Sequence, residues 1–182
     1  MNTEALKAAI DSLNIIDVCL REANLKISPG YYPNSVQGQF PAQFRWGTKE
    51  FAFREISNLN SAEKAIKLLS VHVGAGFRIL DPQAKDAKDP IPSEMIKAEV
   101  EATFLAEYRV ISEQDIPVDG LAEFVKHNSV YHIWPYWREL LQSACARARL
   151  GNIVVPMLVL RGKAPELAMS DGQQETANIS TV

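Results

Sequence analysis

The three histidines are the first residues to test for chemistry, because imidazole serves both as a metal ligand and as a general base. They stand at His72, His127 and His132. None of them falls in an HExxH spacing, and the interval of five between the last two places them on different faces of a helix. The sequence therefore predicts no metal site and no histidine-based catalysis.

Two other patterns have catalytic potential, and both have a simpler explanation. The run "GAGF" at 74–77 resembles part of a nucleotide-binding loop, but it lies within a strand pattern, where glycine relieves crowding or allows close approach. Glu99 and Glu101 share one face of a predicted strand, where paired carboxylates are usually solvated. The chain has neither a P-loop nor a GxSxG motif. We therefore expect a protein that is not an enzyme and uses no cofactor.

Composition narrows the class further. The chain has 182 residues, 47% of them hydrophobic and 23% charged, which is typical of one globular domain. A formal net charge of -3 provides no cationic surface for nucleic acid or an anionic membrane. Cys19 and Cys145 lack a CxxC spacing and are expected to be free thiols. With no signal peptide and no apolar run of about 18 residues, the sequence predicts a cytoplasmic protein without a membrane span.

Four strands are predicted from alternating hydrophobicity. The first changes parity near Arg21 and Glu22, which predicts a bulge there. The second is predicted to be interrupted at Gly47, and a long irregular connection at 28–43 precedes it. The last two alternate over more than ten residues, which indicates a sheet with one dry and one wet face. The predicted strands are 15–27, 44–56, 65–80 and 96–111.

Beyond Pro117 the pattern becomes helical. A short helix is predicted at 118–128, and a longer one starts near His132 or Ile133, because Pro135 is tolerated only in a first turn. Gly151 suits the end of this helix. Strands followed by helices predict an α+β fold, a four-stranded antiparallel sheet with two C-terminal helices packed on one face.

The domain boundaries follow from the same patterns. Residues 1–13 are predicted to form an N-terminal extension, an amphipathic helix with Leu6, Ile10 and Leu13 on one side. Residues 14–160 form the folded domain, which ends in an extended apolar segment after the last helix. The polar composition of 161–182 predicts a disordered tail.

Aromatic residues concentrate in two segments of the chain. Of the fifteen Phe, Trp and Tyr residues, seven fall between 31 and 53 and five between 124 and 137. The first group lies in and beside the irregular connection, where aromatics either pin a loop to the core or line an apolar groove. The residues alone leave both possibilities open. The first group comprises Tyr31, Tyr32, Phe40, Phe44, Trp46, Phe51 and Phe53.

Two motifs near the end of the domain carry a family resemblance. "IWPYWREL" at 133–140, followed by a helix and by "LGNIVVPML" at 150–158, resembles the signature of the SecB family of export chaperones. That family has an aromatic-Pro-Tyr-x-Arg-Glu segment at the start of its long helix and a Leu-x-Leu-Pro-Pro-like segment after it. The matching residues are Trp134, Pro135, Tyr136, Arg138 and Glu139, with Pro156 in the second motif.

The resemblance implies a homotetramer, built as a dimer of dimers, that holds unfolded polypeptides without ATP and delivers them to the translocase motor for export. It places the client grooves between the crossover, the second strand and the helix, where the aromatics of this chain cluster. The implied client-binding residues are Trp46, Phe51 and Phe53, followed by Phe44, Phe40, Tyr31 and Tyr32.

One departure from the family pattern bears on the export role. The family docks on the motor through acidic side chains near the end of the first strand, where this chain has Asn24 and Ser28. Some SecB-like proteins instead protect the antitoxin of a toxin–antitoxin pair, so an antitoxin is the alternative partner. A scaffold oligomer without clients and a small-molecule binding protein are the remaining alternatives.

Overall fold

The computed structural model of the chain describes residues 3–33, 40–56, 65–87, 89–151, 153–155 and 157–158. Pro156 and the predicted tail at 161–182 lie outside the described residues. The main elements are α1 (Thr3–Ser12), β1 (Leu13–Ile27), β2 (Ala42–Ile56), β3 (Ile66–Leu80), β4 (Ile96–Val110), α2 (Val118–Glu123) and α3 (Ser129–Ala148). A π-helical turn, Phe124–Asn128, joins α2 to α3.

The four strands form one antiparallel sheet in the order β1-β4-β3-β2. Within the described part of the chain β1 and β2 are therefore the two edges. Alternate residues of β3 and β4 are buried beneath α3, which packs mainly on these two central strands. The predicted α+β fold with a four-stranded antiparallel sheet is confirmed. Cys19 and Cys145 are free, as the sequence predicted.

Strand irregularities agree with the prediction in part of β1 but not in β2, and a further register shift in β1, between Ile15 and Asp17, was not predicted. The register of β1 against β4 shifts between Leu20 and Glu22, which is the predicted bulge. In β2, however, Gly47 pairs directly with Gly74, and the shift lies between Thr48 and Glu50. The predicted interruption at Gly47 is wrong, because a glycine in open space fits a regular strand position. Lys49 is the extra residue instead.

The polar face of the sheet is covered by side chains that cross β3. A Cβ atom at Gly74 would lie 2.8 Å from Lys49 Cε, and one at Gly76 would lie 2.7 Å from Arg45 Nε. These glycines let Lys49 Nζ reach Thr103 Oγ1 at 2.7 Å and let Arg45 bridge to β4. They relieve crowding, as predicted.

The helical segments are continuous, and the start predicted for the long helix is wrong. Glu123 and Asn128 both have right-handed helical backbone, so the chain is helical from 118 to 148. Pro135 therefore lies inside α3 rather than in a first turn. Its ring disturbs the carbonyl four residues earlier, at Tyr131, and both residues lie on the exposed side of α3, where water replaces the lost hydrogen bond.

The end of α3 also differs from the prediction. The helix ends at Ala148, and Arg149 takes the left-handed conformation with a φ of 56°, two residues before the predicted Gly151. The Leu150 N–H donates to the Cys145 carbonyl at 3.0 Å and closes the helix. Beyond it Ile153 and Val155 are buried and Val154 is exposed, which is the alternation of an extended apolar segment.

Helix α1 follows the predicted stripe only in part, because Leu13 is buried and Leu6 packs against the core but Ile10 does not. Ala5, Ala9 and Ser12 are buried, whereas Ile10 is exposed. The small residues let the α1 backbone approach α2 so closely that a Cβ atom at Gly120 would overlap the Ala5 carbonyl oxygen. The close contact between α1 and α2 therefore buries the face of α1 that carries small residues, although Ile10 on another face is larger.

A tyrosine–histidine pair joins the sheet to α3. Tyr108 of β4 is fully buried, and its hydroxyl lies 3.0 Å from His132 Nδ1. Burial raises the pKa of Tyr108 and lowers the pKa of His132, so at neutral pH a phenol donates to a neutral imidazole. The Tyr108 ring also meets Phe124 edge-on, with centroids 5.0 Å apart, so the pair fixes the π turn as well.

Acidification is expected to lower the free energy of unfolding through His132. Its pKa in the folded protein lies below the unfolded value of about 6.5, so the unfolded chain takes up more protons as the pH falls. This contribution is complete above that pH and declines below it. Urea titrations at about pH 7.5 and about pH 5.5 should show a smaller acid-induced loss in His132→Gln than in the wild type. An equal loss in both proteins would contradict this.

Candidate client-binding surface

The bulge at Lys49 decides which way the aromatics of β2 face. Trp46 pairs with Ala75, and beyond the bulge Phe51 pairs with Val71 and Phe53 with Leu69. Because side chains alternate along a strand, Trp46 and the two phenylalanines would lie on opposite faces without the extra residue. The bulge therefore brings all three onto the face that carries α3.

Phe51 and Phe53 remain accessible on that face. They are 38% and 39% exposed, whereas their β3 partners Val71 and Leu69 are fully buried. The difference arises because α3 lies over the central strands and leaves this end of β2 uncovered. The Lys67 ammonium lies 4.9 Å from the centroid of the Phe53 ring, so a cation stands at the end of the apolar row.

Trp46 and Phe44 lie deeper than the two phenylalanines. Trp46 is half-buried, and its ring meets Trp134 of α3 edge-on with centroids 5.1 Å apart. Phe44 is fully buried and packs on Phe77 at 5.1 Å. Phe44 is therefore a core residue in this structure, and we leave it out of the candidate surface. Trp46 connects the surface to the helix.

The aromatics of the connection lie at the other end of β2. The rings of Tyr31 and Phe40 meet edge-on at 5.5 Å and are packed partly against the core. Burial raises the pKa of Tyr31, which stays protonated at neutral pH. Tyr32 is exposed. The structure thus packs two of these rings against the core and leaves the third exposed.

These residues together define the β2 aromatic surface. At about 3.3 Å per residue, the strand between the Phe40 end and Phe53 spans roughly 40 Å. That length accommodates an extended polypeptide of about a dozen residues. The members of the surface are Tyr31, Tyr32, Phe40, Trp46, Phe51 and Phe53.

The motif residues of α3 divide between the core and the solvent. Trp134 is buried, together with its neighbour Trp137. Pro135, Tyr136 and Glu139 are exposed on the outer side. Arg138 is half-buried, and its Nη1 lies 3.6 Å from Met157 Sδ in the extended segment. The motif therefore supplies both the packing of α3 on the sheet and part of its outer face.

Two features of this face escaped the sequence analysis. Thr48 Oγ1 donates to the Val125 carbonyl at 2.7 Å and ties β2 to the π turn, but no sequence pattern marks either residue. Three large apolar residues of β1 that face the same way as α3 are also exposed, and we call them the β1 apolar edge. They are Ile15, Leu20 and Leu25. The alternation of apolar residues predicted for the first strand contained a signal for this edge, but it did not reveal its exposure.

The described residues contain no cluster of three or more His, Cys, Asp or Glu side chains placed to hold a metal ion. In the same part of the chain, every helix is too short or too polar to cross a membrane.

Comparison with known proteins places the fold. No family model and no curated protein sequence matches the chain. Among solved structures, the Mycobacterium tuberculosis SecB-like chaperone Rv1957, in complex with a ChAD peptide from the antitoxin HigA1 (Rv1956), is similar with a TM-score of 0.59 and 16% identity. The match covers 87% of this chain and 99% of that one. At this identity the likeness shows the fold alone, and it confirms the SecB-like fold that the resemblance predicted.

Proposed function

We propose that this protein is an ATP-independent holdase of the SecB-like type, which binds unfolded polypeptide segments along the β2 aromatic surface. The observation that carries the proposal is the exposure of Phe51 and Phe53 on an edge strand, directly beside fully buried neighbours. In the proposed role the protein works in the cytoplasm, where newly made chains are still unfolded.

The chemistry of the surface suits unfolded chains. Such clients share little except apolar side chains and unpaired backbone groups. Burial of apolar area contributes about 25 cal/mol per Å² before the entropy of binding is subtracted, so a long aromatic surface binds many sequences without nucleotide. Because β2 is a sheet edge in the described structure, its outer backbone groups also suit hydrogen bonding to an extended client.

The shape of the surface favours this function over the two alternatives from other classes. A small-molecule site would enclose its ligand, whereas the accessible rings of Phe51 and Phe53 lie along an open strand edge. A scaffold would use its apolar surface only against its own copies and would not bind unfolded chains. Binding of an unfolded protein therefore separates the holdase from both.

The wild type is expected to suppress the aggregation of a chemically unfolded protein at a stoichiometric ratio without ATP. Phe51→Ser with Phe53→Ser should lose most of this activity, because removing two aromatic contacts weakens binding by at least about tenfold. Light scattering after dilution from denaturant measures the effect. The matched control is Ile111→Ser with Val118→Ser, which removes two side chains that are 57% and 81% exposed outside the surface.

Circular dichroism must first show that both double variants fold. If a folded wild type does not suppress scattering, the general holdase is wrong. If the two double variants lose activity equally, the client site is not the β2 aromatic surface.

A dedicated antitoxin chaperone is the second candidate, and two observations favour it over delivery to a translocase motor. The similar Rv1957 structure is a complex with an antitoxin peptide. On the polar face of the sheet, Arg45 bridges Glu99 and Glu101, and Arg54 bridges Glu107, so two guanidinium groups already engage these three acids and offset most of their charge. On the same face, the last polar residues of β1 are Asn24 and Lys26, and neither is acidic. Export delivery remains a prediction from the resemblance.

The antitoxin role predicts saturable binding of a ChAD-type peptide. Fluorescence anisotropy of the labelled HigA1 ChAD peptide should show binding that unlabelled, unfolded lysozyme competes away, because both would use the β2 aromatic surface. The same titration with the purified translocase motor should show no complex. A stable complex with the motor and none with the peptide would favour export instead.

The proposed assembly is a homo-oligomer, and the β1 apolar edge supports it. Leu20 and Leu25 are 47% and 42% exposed on an edge strand, a combination that natural monomers avoid. Tyr131 and Tyr136 add exposed aromatic area on α3. Pairing of β1 edges would form the dimer, and contact between α3 helices would join two dimers.

Charge placed on the β1 apolar edge is expected to break the assembly. Leu20→Lys with Leu25→Lys should lower the molar mass found by light scattering on a sizing column, because buried lysines would lose their hydration. Ile10→Lys, on the exposed side of α1, is the control and should leave the mass unchanged. A monomeric wild type would overturn the proposed assembly without touching the client site.

A further inference from the structure

We infer that Thr48 is the positioning residue of the client-binding surface: its hydrogen bond to the π turn holds the bulge that turns Phe51 and Phe53 toward α3. The inference rests on the proposed function, since it concerns the same surface. Its starting point is the 2.7 Å bond from Thr48 Oγ1 to the Val125 carbonyl, which joins two irregular elements, the bulge in β2 and the π turn.

The first irregular element is the bulge in β2. Lys49 and Glu50 are consecutive residues on the polar face, one bonded to Thr103 Oγ1 at 2.7 Å and the other lying 3.3 Å from His72 Nδ1. Both contacts hold the bulge from the polar side. Thr48 holds it from the side of α3, so the extra residue is fixed from both faces.

The second irregular element is the π turn. The Ser129 N–H would bond the Val125 carbonyl in an α-helix, but here it bonds the Phe124 carbonyl, five residues back. The Val125 carbonyl accepts hydrogen bonds from the hydroxyls of Ser129 and Thr48 instead. The π register therefore makes available the acceptor that anchors β2.

The location of this bond makes it strong. Val125 is fully buried, so water competes little for its carbonyl, and a hydrogen bond in the low-dielectric interior is stronger than one in water. Ser129 reaches the carbonyl from within the helix and gives no hold on the sheet. Only the Thr48 hydroxyl, among the contacts of this carbonyl in the described structure, connects it to β2.

The orientation of the outer half of β2 depends on the bulge staying where it is. If the extra residue moves along the strand, each side chain that it passes changes face. Ala52 and Arg54 would then replace Phe51 and Phe53 beside α3, and a charged group would enter the client surface. Thr48 thus acts on clients through the two phenylalanines and does not itself need to touch them.

The test compares Thr48→Val, which keeps the shape and removes the hydroxyl, with Thr48→Ser, which keeps the hydroxyl. The probe is fluorescein-labelled, reduced and carboxymethylated lysozyme, a permanently unfolded chain, and anisotropy reports its dissociation constant. Thr48→Val should weaken binding about tenfold, and Thr48→Ser should stay within about twofold of the wild type. Ser129→Ala removes the other hydroxyl from the same carbonyl and should also bind like the wild type.

Hydrogen exchange supplies a readout that a general loss of stability would not give. In Thr48→Val, the amides of 50–56 should exchange faster while those of β4 keep wild-type protection. If Thr48→Val does not fold, Thr48→Ala takes its place in both measurements.

Each outcome separates the inference from the proposed function. Wild-type binding by a folded Thr48→Val protein would overturn the inference and leave the holdase intact. Equal weakening in the valine and serine variants, or in Ser129→Ala, would also overturn it, because the Thr48 hydroxyl would then not be the determinant. If the wild type itself does not bind the probe, the proposed function fails first.

Discussion

One constraint underlies the whole structure: a single helical run has to cover a four-stranded sheet. A helix with its side chains is about 10 Å across, and strands lie about 4.8 Å apart, so α3 can shield about two strands. Most of the fully buried side chains of the sheet accordingly lie on β3 and β4, for example Val71, Val73 and Tyr108. The edge strands keep apolar side chains in solvent on the same face, including Phe53 on β2 and Leu20 on β1.

The opposite face of the sheet is covered by charged side chains rather than by α3. Long cationic side chains of β2 pass over two glycines of β3 and reach polar groups on β4, where Arg45 meets Glu99 at 3.0 Å and Lys49 meets Thr103 at 2.7 Å. These contacts are partly exposed, so each adds little stability. Their effect is to leave a hydrated and nearly neutral surface, which directs apolar binding to the side that carries α3.

The function proposed for the molecule follows from this asymmetry. A chain whose apolar residues exceed what its helix can cover either assembles with copies of itself or binds other chains. The β1 apolar edge suits the first and the β2 aromatic surface suits the second. The bulge in β2 then determines which side chains lie on this face, since its extra residue, Lys49, turns Phe51 and Phe53 toward the side that carries α3.

The sequence by itself determined the fold class, the extents of β3 and β4 and the bulge near Arg21, because alternation of apolar residues depends only on the geometry of the strand. It also determined the family resemblance through the residues from Trp134 to Glu139. Only the tertiary structure decided which aromatics are exposed. Phe44 and Phe51 have the same chemistry, and one is buried while the other is not because α3 covers only part of β2.

The positions of the irregular elements were likewise decided by tertiary contacts. Pro135 predicted a helix start, but the π turn and α2 continue the helix on its N-terminal side and water solvates the freed carbonyl. Gly47 predicted an interruption, but the extra residue lies at Lys49, where Thr48 and Thr103 hold it from the two faces. The partners of these two contacts, Val125 for Thr48 and Thr103 for Lys49, lie 77 and 54 positions away in the chain, and a local pattern carries no information about contacts at such separations.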